Sequence, residues 1–287
     1  YKGIRQVSIF LNNIDKNELF TPEEISDFKG QAHFLRAYFY WLTLRAFGPV
    51  PIIPDEGIDY TQEYDELAYP RNSYDECVEY ITDELTKAAS VLPLQRGVQE
   101  ITRPTRGAAL ALRAKVLLYA ASPLFNGSDF APTDTKELVG YPSYDKERWK
   151  TAMDAARAVI NLGTYNLFIR SKDLNGKAEP GFGFYVVFQA GDTRNANLTD
   201  DDGKNNNGAF AGNILDRKYQ RESGHEAAYY PPSGSHSGTR HGGYIYKELA
   251  DAFPMIDGKP IDNSQYTFDP LNPAQNRDPR FNNTVIY

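Results

Sequence analysis

The chain has 287 residues, 41% of them apolar and 24% charged, with a net charge of -7, a balance that allows a sizeable core in one large domain or two small ones. The negative charge argues against a nucleic-acid binder, which would rely on clustered Lys and Arg to displace counterions. A lone cysteine, Cys77, excludes an internal disulfide, no Cys/His set has zinc spacing, and no apolar run approaches the roughly 20 residues that a membrane span requires.

The first half reads as a row of amphipathic helices. Ile4, Val7, Phe10 or Leu11, and Ile14 form an apolar stripe at helical spacing. The next helix has a clear start, with Thr21 as cap, Pro22 at the first helical position and Glu24 completing a capping box. Along it Phe28, Ala32, Leu35, Phe39, Leu42 and Ala46 recur at gaps of four and three, which predicts one buried face ending at Gly48-Pro49. Ser73 and Glu76 repeat the capping chemistry, followed by the stripe Cys77, Ile81, Leu85, Ala88, Leu92 and a stop at Pro93. Cys77 reads there as a small core residue. Thr105 is placed to cap "AALALRAKVLLYAAS", whose small side chains suit close helix approach. A further helix covers "YDKERWKTAMDAARAVINLG", with Trp149, Ala152, Ala156 and Val159 expected inward and Gly163 as terminator. The last four helices are expected to make two antiparallel hairpins, each comparable in size to the ~34-residue tetratricopeptide unit but without its strict signature.

Beyond Leu167 the pattern changes. "FGFYVVFQ", around Phe184 to Gln189, reads as a single strand, and Ala190 to Gly243 is dominated by Gly, Asn, Asp, Ser, Tyr and Pro. A short helix over "YIYKELADAFP" and a turn-rich segment follow. The chain opens on Tyr1 rather than Met, so an upstream segment is expected, and the ending at "NNTVIY" carries no stop signal.

Enzymatic motifs fail on spacing. Tyr229 stands where a helical zinc-protease motif beginning at His225-Glu226 needs its second His. His236 occupies the nucleophile position of "GSHSG", where Ser is required. No phosphate-binding or dinucleotide loop is present. "TDDDGKNNNG", from Thr199 to Gly208, has oxygen ligands enough for calcium, but its glycines miss the EF-hand position, and it reads as a solvated loop. No catalytic residue, cofactor or metal ligand is assigned, and the chain is not read as an enzyme.

A set of segments in fixed order resembles the SusD/RagB family. "YKGIRQVSIFLNNID" and "GQAHFLRAYFYWLTLRAFGPVPII" are similar to early family helices, the second running into its extended stretch. "YPRNSYDECVEYITDELTKAASVLP", "TRGAALALRAKVLLYAASPLF" and "WKTAMDAARAVINLGTYNLF" resemble the next three, and "YPPSG", "KELADAFPMIDGKPI" and "NRDPRF" resemble later segments. The resemblance covers nearly all of the chain except Asp192 to Ala228. Members are usually longer, with an N-terminal lipobox cysteine and a further helical part after the "NRDPRF" region, so the resemblance implies a central fragment.

The implied fold is mainly α: a helical, tetratricopeptide-like half over 1–168 and a loop-rich variable lobe with short strands over 169–287, together one SusD-like domain. The implied function is that of a lipid-anchored protein of the outer-membrane surface, which captures glycan and passes it to a TonB-dependent SusC-like transporter. Peptide capture and a helical scaffold for protein partners are the alternatives. The loop-rich half supplies a physical counterpart, since aromatic rings bind sugar faces while Asn, Asp and Arg bond the hydroxyls. Tyr229, Tyr230, His236, Arg240 and Tyr244 cluster there with Gly, Pro and Ser and are the candidate ligand-binding residues. No family motif assigns them individually. Trp41 and Trp149 lie in helices and are expected at the core or its flank.

Overall fold

The computed structural model describes residues 2–55, 58, 61–97, 100, 102–127, 131–132, 134–165, 169–173, 175–188, 201 and 245–285. These residues are helical apart from turns and three isolated β-bridges, Asn126–Tyr141, Lys172–Ala178 and Met255–Arg277. They fall into two compact units, one within Tyr1–Tyr165 and the other within 166–287.

The first unit contains α1 (Lys2–Ile14), α2 (Pro22–Phe47), the single turn α3 (Tyr64–Leu67), α4 (Tyr74–Val91), α5 (Arg106–Ala121), a 3-10 turn at Lys136–Leu138 and α6 (Glu147–Asn161). The chain sets the helix starts as its caps require. The Thr21 hydroxyl accepts from the Glu24 backbone N–H at 3.2 Å, while the Glu24 carboxylate accepts from the Thr21 N–H at 2.8 Å. Ser73 and Glu76 do the same for α4, and Thr105 accepts from the Ala108 N–H to start α5. Each of these bonds satisfies a donor that a helix start leaves unpaired. Gly48, at φ +75°, ends α2, and Gly163, at φ +64°, follows α6.

The long helices pack in chain order, α1 on α2, α2 on α4, α4 on α5 and α5 on α6. The core joins Phe34, Ala37, Tyr40, Trp41 and Leu44 of α2 to Cys77, Ile81, Leu85 and Ala88 of α4 and to Ala108, Ala109 and Val116 of α5. Gly30 permits the approach of α2 to the end of α4, because a Cβ there would lie 2.7 Å from Val91 Cγ2.

Two expected faces are corrected. On α2 the stripe of Phe28, Ala32, Leu35 and Phe39 lines a groove against α1, Leu35 is 40% exposed, and the buried seam is Phe34, Ala37, Tyr40, Trp41 and Leu44. A helix with neighbours on two sides is apolar on two sides, and a single period cannot describe it. On α6 the buried residues are Ala152 and Ala155, whereas Trp149 and Ala156 are exposed. A seam of alanines lets α6 approach the alanine-rich α5 closely, which the larger Trp149 would prevent.

In the second unit α7 (Phe182–Phe188) is a helix where a strand is expected from Phe184 onward; Gln189 lies outside the described residues. A short aromatic and β-branched run fits either state by pattern. The Tyr185 N–H bonds the Gly181 carbonyl, and α7 packs on α9 (Pro279–Thr284), with Phe182 buried. A second short helix, α8 (Lys247–Ala252), precedes a turn-rich stretch organised by the "NRDPRF" motif. Arg277, 3% exposed, donates to the Ala250 and Phe253 carbonyls and stands 4.5 Å over the Phe281 ring. Asp278 caps α9 by accepting from the Arg280 N–H at 2.8 Å, and Pro279 takes its first position.

Candidate functional site

Tyr229, Tyr230, His236, Arg240 and Tyr244 all lie outside the described residues, as do the histidines of the rejected protease and nucleophile motifs. Within the acidic segment Thr199 to Gly208 only Asp201 is described. Its carboxylate accepts from the Ser171 N–H at 3.0 Å, and that bond holds it below the usual carboxylate range. Among the described residues no group of three or more His, Cys, Asp or Glu is arranged to hold a metal ion.

The strongest polar constellation in the described chain is one the sequence reading did not identify. Glu84, fully buried on α4, receives Arg36 Nε at 2.7 Å, His33 Nδ1 at 2.8 Å and Lys87 Nζ at 2.9 Å. Burial opposes its charge, but the bonds from His33 and Arg36 prevail and lower its pKa to about 2. Arg36, 1% exposed, reaches with Nη1 to Asp55 at 2.7 Å. Two polar groups spaced three apart on each helix are the available signal: His33 and Arg36 on α2, and Glu84 and Lys87 on α4, with Glu84 within the stripe that runs from Ile81 to Ala88.

Asp55 ends an extended strap that runs from Gly48-Pro49. The Ile53 N–H donates to the Tyr40 hydroxyl at 2.9 Å, the Ile52 N–H to Asn72 Oδ1 at 2.8 Å, and Asn12 Nδ2 to the Asp55 carbonyl at 3.1 Å. Cys77 Sγ lies 3.5 Å from the Val50 carbonyl, and burial pushes the thiol up, so it packs as a core residue.

Two cavities flank α1. One, of about 530 Å³, lies between α1 and the strap, with Ile4, Ile53, Ile58, Leu67 and Tyr69 in its walls and Lys2 at its rim. The other, of about 540 Å³, is the groove between α1 and α2, walled by Val7, Phe10, Phe20, Phe28, Leu35 and Phe39. Both are within the usual size range of ligand pockets but mostly apolar, and neither presents the array of amide and carboxylate groups that sugar hydroxyls require. Trp41 is 3% exposed and stacks edge-on against Tyr119, which makes it core; Trp149 is 40% exposed.

Residues 1–118 match a SusD-like family model described as starch-binding and associating with the outer membrane. A solved SusD-like protein from Bacteroides fragilis is 23% identical with a TM-score of 0.62, covering 97% of this chain and 46% of that one. A SusD-like carbohydrate binding protein from the same species is 18% identical with a TM-score of 0.56, covering 99% and 44%. A third structure, BT4246, is 24% identical with a TM-score of 0.65, covering 94% and 48%. No curated protein matches the chain significantly. The chain spans about half the length of these solved structures. The fold of the chain is thus SusD-like. The family likeness in sequence rests on residues 1–118, where the SusD-like model matches.

Proposed function

We propose that the protein captures glycan at the outer-membrane surface and passes oligosaccharide to a TonB-dependent SusC-like transporter, held there by a lipid anchor on its full-length form. The observation that carries this reading is the match of residues 1–118 to a family described as starch-binding and associating with the outer membrane. The SusD-like fold over nearly the whole chain supports it. Among the described residues no helix is long and apolar enough to cross a membrane, so the reading places the protein on the bilayer through its anchor. Tyr229, Tyr230, His236, Arg240 and Tyr244 form the proposed contact region, by the chemistry of rings on sugar faces and polar groups on hydroxyls.

The test is calorimetry of the full-length protein against a panel of glycans and peptides, with the same mixtures assayed for released reducing ends. Glycan binding without turnover is the expected result. Turnover would make the protein an enzyme, and binding confined to peptides would move it to the peptide-capturing alternative. Substituting Tyr229 and Tyr230 by Ala is expected to weaken glycan binding at least tenfold in a folded protein; unchanged affinity would remove both from the site.

A further inference from the structure

Among the described residues Asn or Asp precedes Gly at three places, Asn126–Gly127, Asn175–Gly176 and Asp257–Gly258. At such a step the side-chain carbonyl carbon can reach the next backbone nitrogen, which glycine, lacking Cβ, leaves unshielded.

Two of the three are tied down. Asn126 is 3% exposed; its Nδ2 donates to the Ala121 and Asp145 carbonyls at 3.3 and 2.9 Å, and its Oδ1 accepts from the Asp145 N–H at 2.9 Å and from Arg148 Nη1 at 2.6 Å. Gly127 is packed so closely that a Cβ there would lie 2.1 Å from the Tyr144 nitrogen. The Asp257 carboxylate accepts from the Lys259 and Gln265 N–H groups, each at 3.2 Å, and from the Ser264 hydroxyl at 3.0 Å.

Asn175–Gly176 lies instead at the tip of a short hairpin. The Lys172–Ala178 bridge forms its base, and the Asp173 N–H bonds the Lys177 carbonyl at 2.9 Å. Asp173 Oδ1 accepts from the N–H groups of Asn175 at 2.9 Å and Lys177 at 2.8 Å. Asn175 and Gly176 are both exposed, and a Cβ on Gly176 would meet nothing within 4 Å. The Asn175 side-chain amide has no hydrogen-bond partner among the described residues. The Gly176 N–H bonds the Asp173 carbonyl at 3.1 Å, a contact that water can replace at an exposed turn.

We propose that the fold selects Asn175 as a site of spontaneous covalent modification, converted through a cyclic imide with Gly176 to aspartate and isoaspartate. The Gly176 nitrogen loses its proton to water and bonds to Asn175 Cγ, and the side-chain amide takes up a proton and leaves as ammonia. Water then opens the imide at either carbonyl, with no change of oxidation state. This goes beyond the glycan-capture reading and does not depend on it. Either product sets a second carboxylate beside that of Asp173, which organises the turn, and isoaspartate also routes the backbone through the side-chain methylene. The hairpin so loosened leads into α7, through the bonds of the Glu179 N–H to the Ser171 carbonyl at 2.9 Å and of the Gly183 N–H to the Arg170 carbonyl at 3.1 Å.

The full-length protein would be held in mildly alkaline buffer, sampled over weeks and cleaved with trypsin, with a sample taken at the start as the control for conversion during cleavage. Lys172 and Lys177 release 173–177 as one peptide, apart from those carrying Asn126 and Asn207–Gly208, the latter outside the described residues. Chromatography with mass spectrometry separates the asparagine, aspartate and isoaspartate forms. In the folded protein Asn175 is expected to convert at least about tenfold faster than Asn126, with isoaspartate exceeding aspartate, and the two rates should converge in urea. Equal rates in the folded protein, aspartate without isoaspartate, or a gap of the same size in urea would each overturn the proposal. Asn175→Gln keeps the amide but needs a larger ring, so its peptide should stay unconverted over the same period; conversion at the parental rate would overturn the imide route.

Discussion

Glu84 concentrates most of the electrostatic stake in the first unit. Its carboxylate is fully buried and bonded by Arg36, His33 and Lys87, so removing its charge leaves the buried Arg36 with the more exposed Asp55 as its remaining carboxylate partner. Glu84→Gln is expected to cost about 3–5 kcal/mol in urea unfolding, the usual consequence of breaking a buried pair. Replacing both members, Glu84→Leu with Arg36→Met, is expected to recover a large part of that loss, since the desolvation penalty disappears with the charges. The pH dependence follows from the sign of the shift. The folded-state pKa is lowered from 4.5 to about 2, so Glu84 contributes full stability above pH 4.5 and loses it as pH falls toward 2. Unfolding midpoints measured across that window should fall less steeply for Glu84→Gln than for the parent. None of this was read from the sequence, although His33, Arg36, Glu84 and Lys87 stand at matched three-residue spacings. A charged residue inside an apolar stripe looks like a flaw in the stripe until its partner is placed beside it.

At the scale of the helix, the starts were more legible than the faces. Thr21-Pro22 with Glu24 and Ser73 with Glu76 announce their helices because a capping box needs two residue types at one fixed spacing and little else. Ser73→Ala is therefore expected to cost about 1 kcal/mol in the unfolding of this unit, and Ser73→Asp to cost little, because Asp offers the same acceptor. Faces depend on neighbours instead. Phe28, Ala32, Leu35 and Phe39 are as regular as any core stripe, yet they line the groove with α1, while Tyr40 and Trp41 enter the core beside them. On α7, Phe184, Tyr185 and the valines after it satisfied a strand pattern, yet the segment is helical, with the Tyr185 N–H bonded to the Gly181 carbonyl at its start. Gly107 offers a sharper test of packing at this scale. A Cβ there would overlap the Tyr165 ring, whose hydroxyl lies 3.3 Å from the capping Thr105. Gly107→Ala should destabilise the unit by about 1–3 kcal/mol through overpacking. Adding Tyr165→Ala should then cost less than the two changes summed, because the second removes the clash of the first; equal sums in a double-mutant cycle would mean that Tyr165 is not seated there.

Across the first unit, stability is distributed as in any array whose members touch only their neighbours. α4 packs on both α2 and α5, and α5 on both α4 and α6, whereas among the described residues α1 packs chiefly on α2. Side chains with no exposure at all gather in the middle: Ile81, Leu85, Ala88, Ala109 and Val116. Such a gradient was partly legible, since the stripe from Cys77 to Leu92 and the alanine-rich α5 read as central from composition and period alone. The proposed ligand residues from Tyr229 to Tyr244 had no comparable signal, because Gly, Asn, Ser and Tyr in irregular order fix no period and therefore no face. Hydrogen exchange on the full-length protein converts the packing order into a measurement. Amides of α4 and α5 should open only with the whole unit, while those of α1 should exchange earlier, through local opening of a helix held on one side. On the far side of α5, α6 packs chiefly on that one helix and leaves Trp149, Met153 and Ile160 exposed, so its amides are expected to exchange early, as those of α1 do; exchange as slow as in α5 would mean that the stability of the unit does not follow its helix contacts.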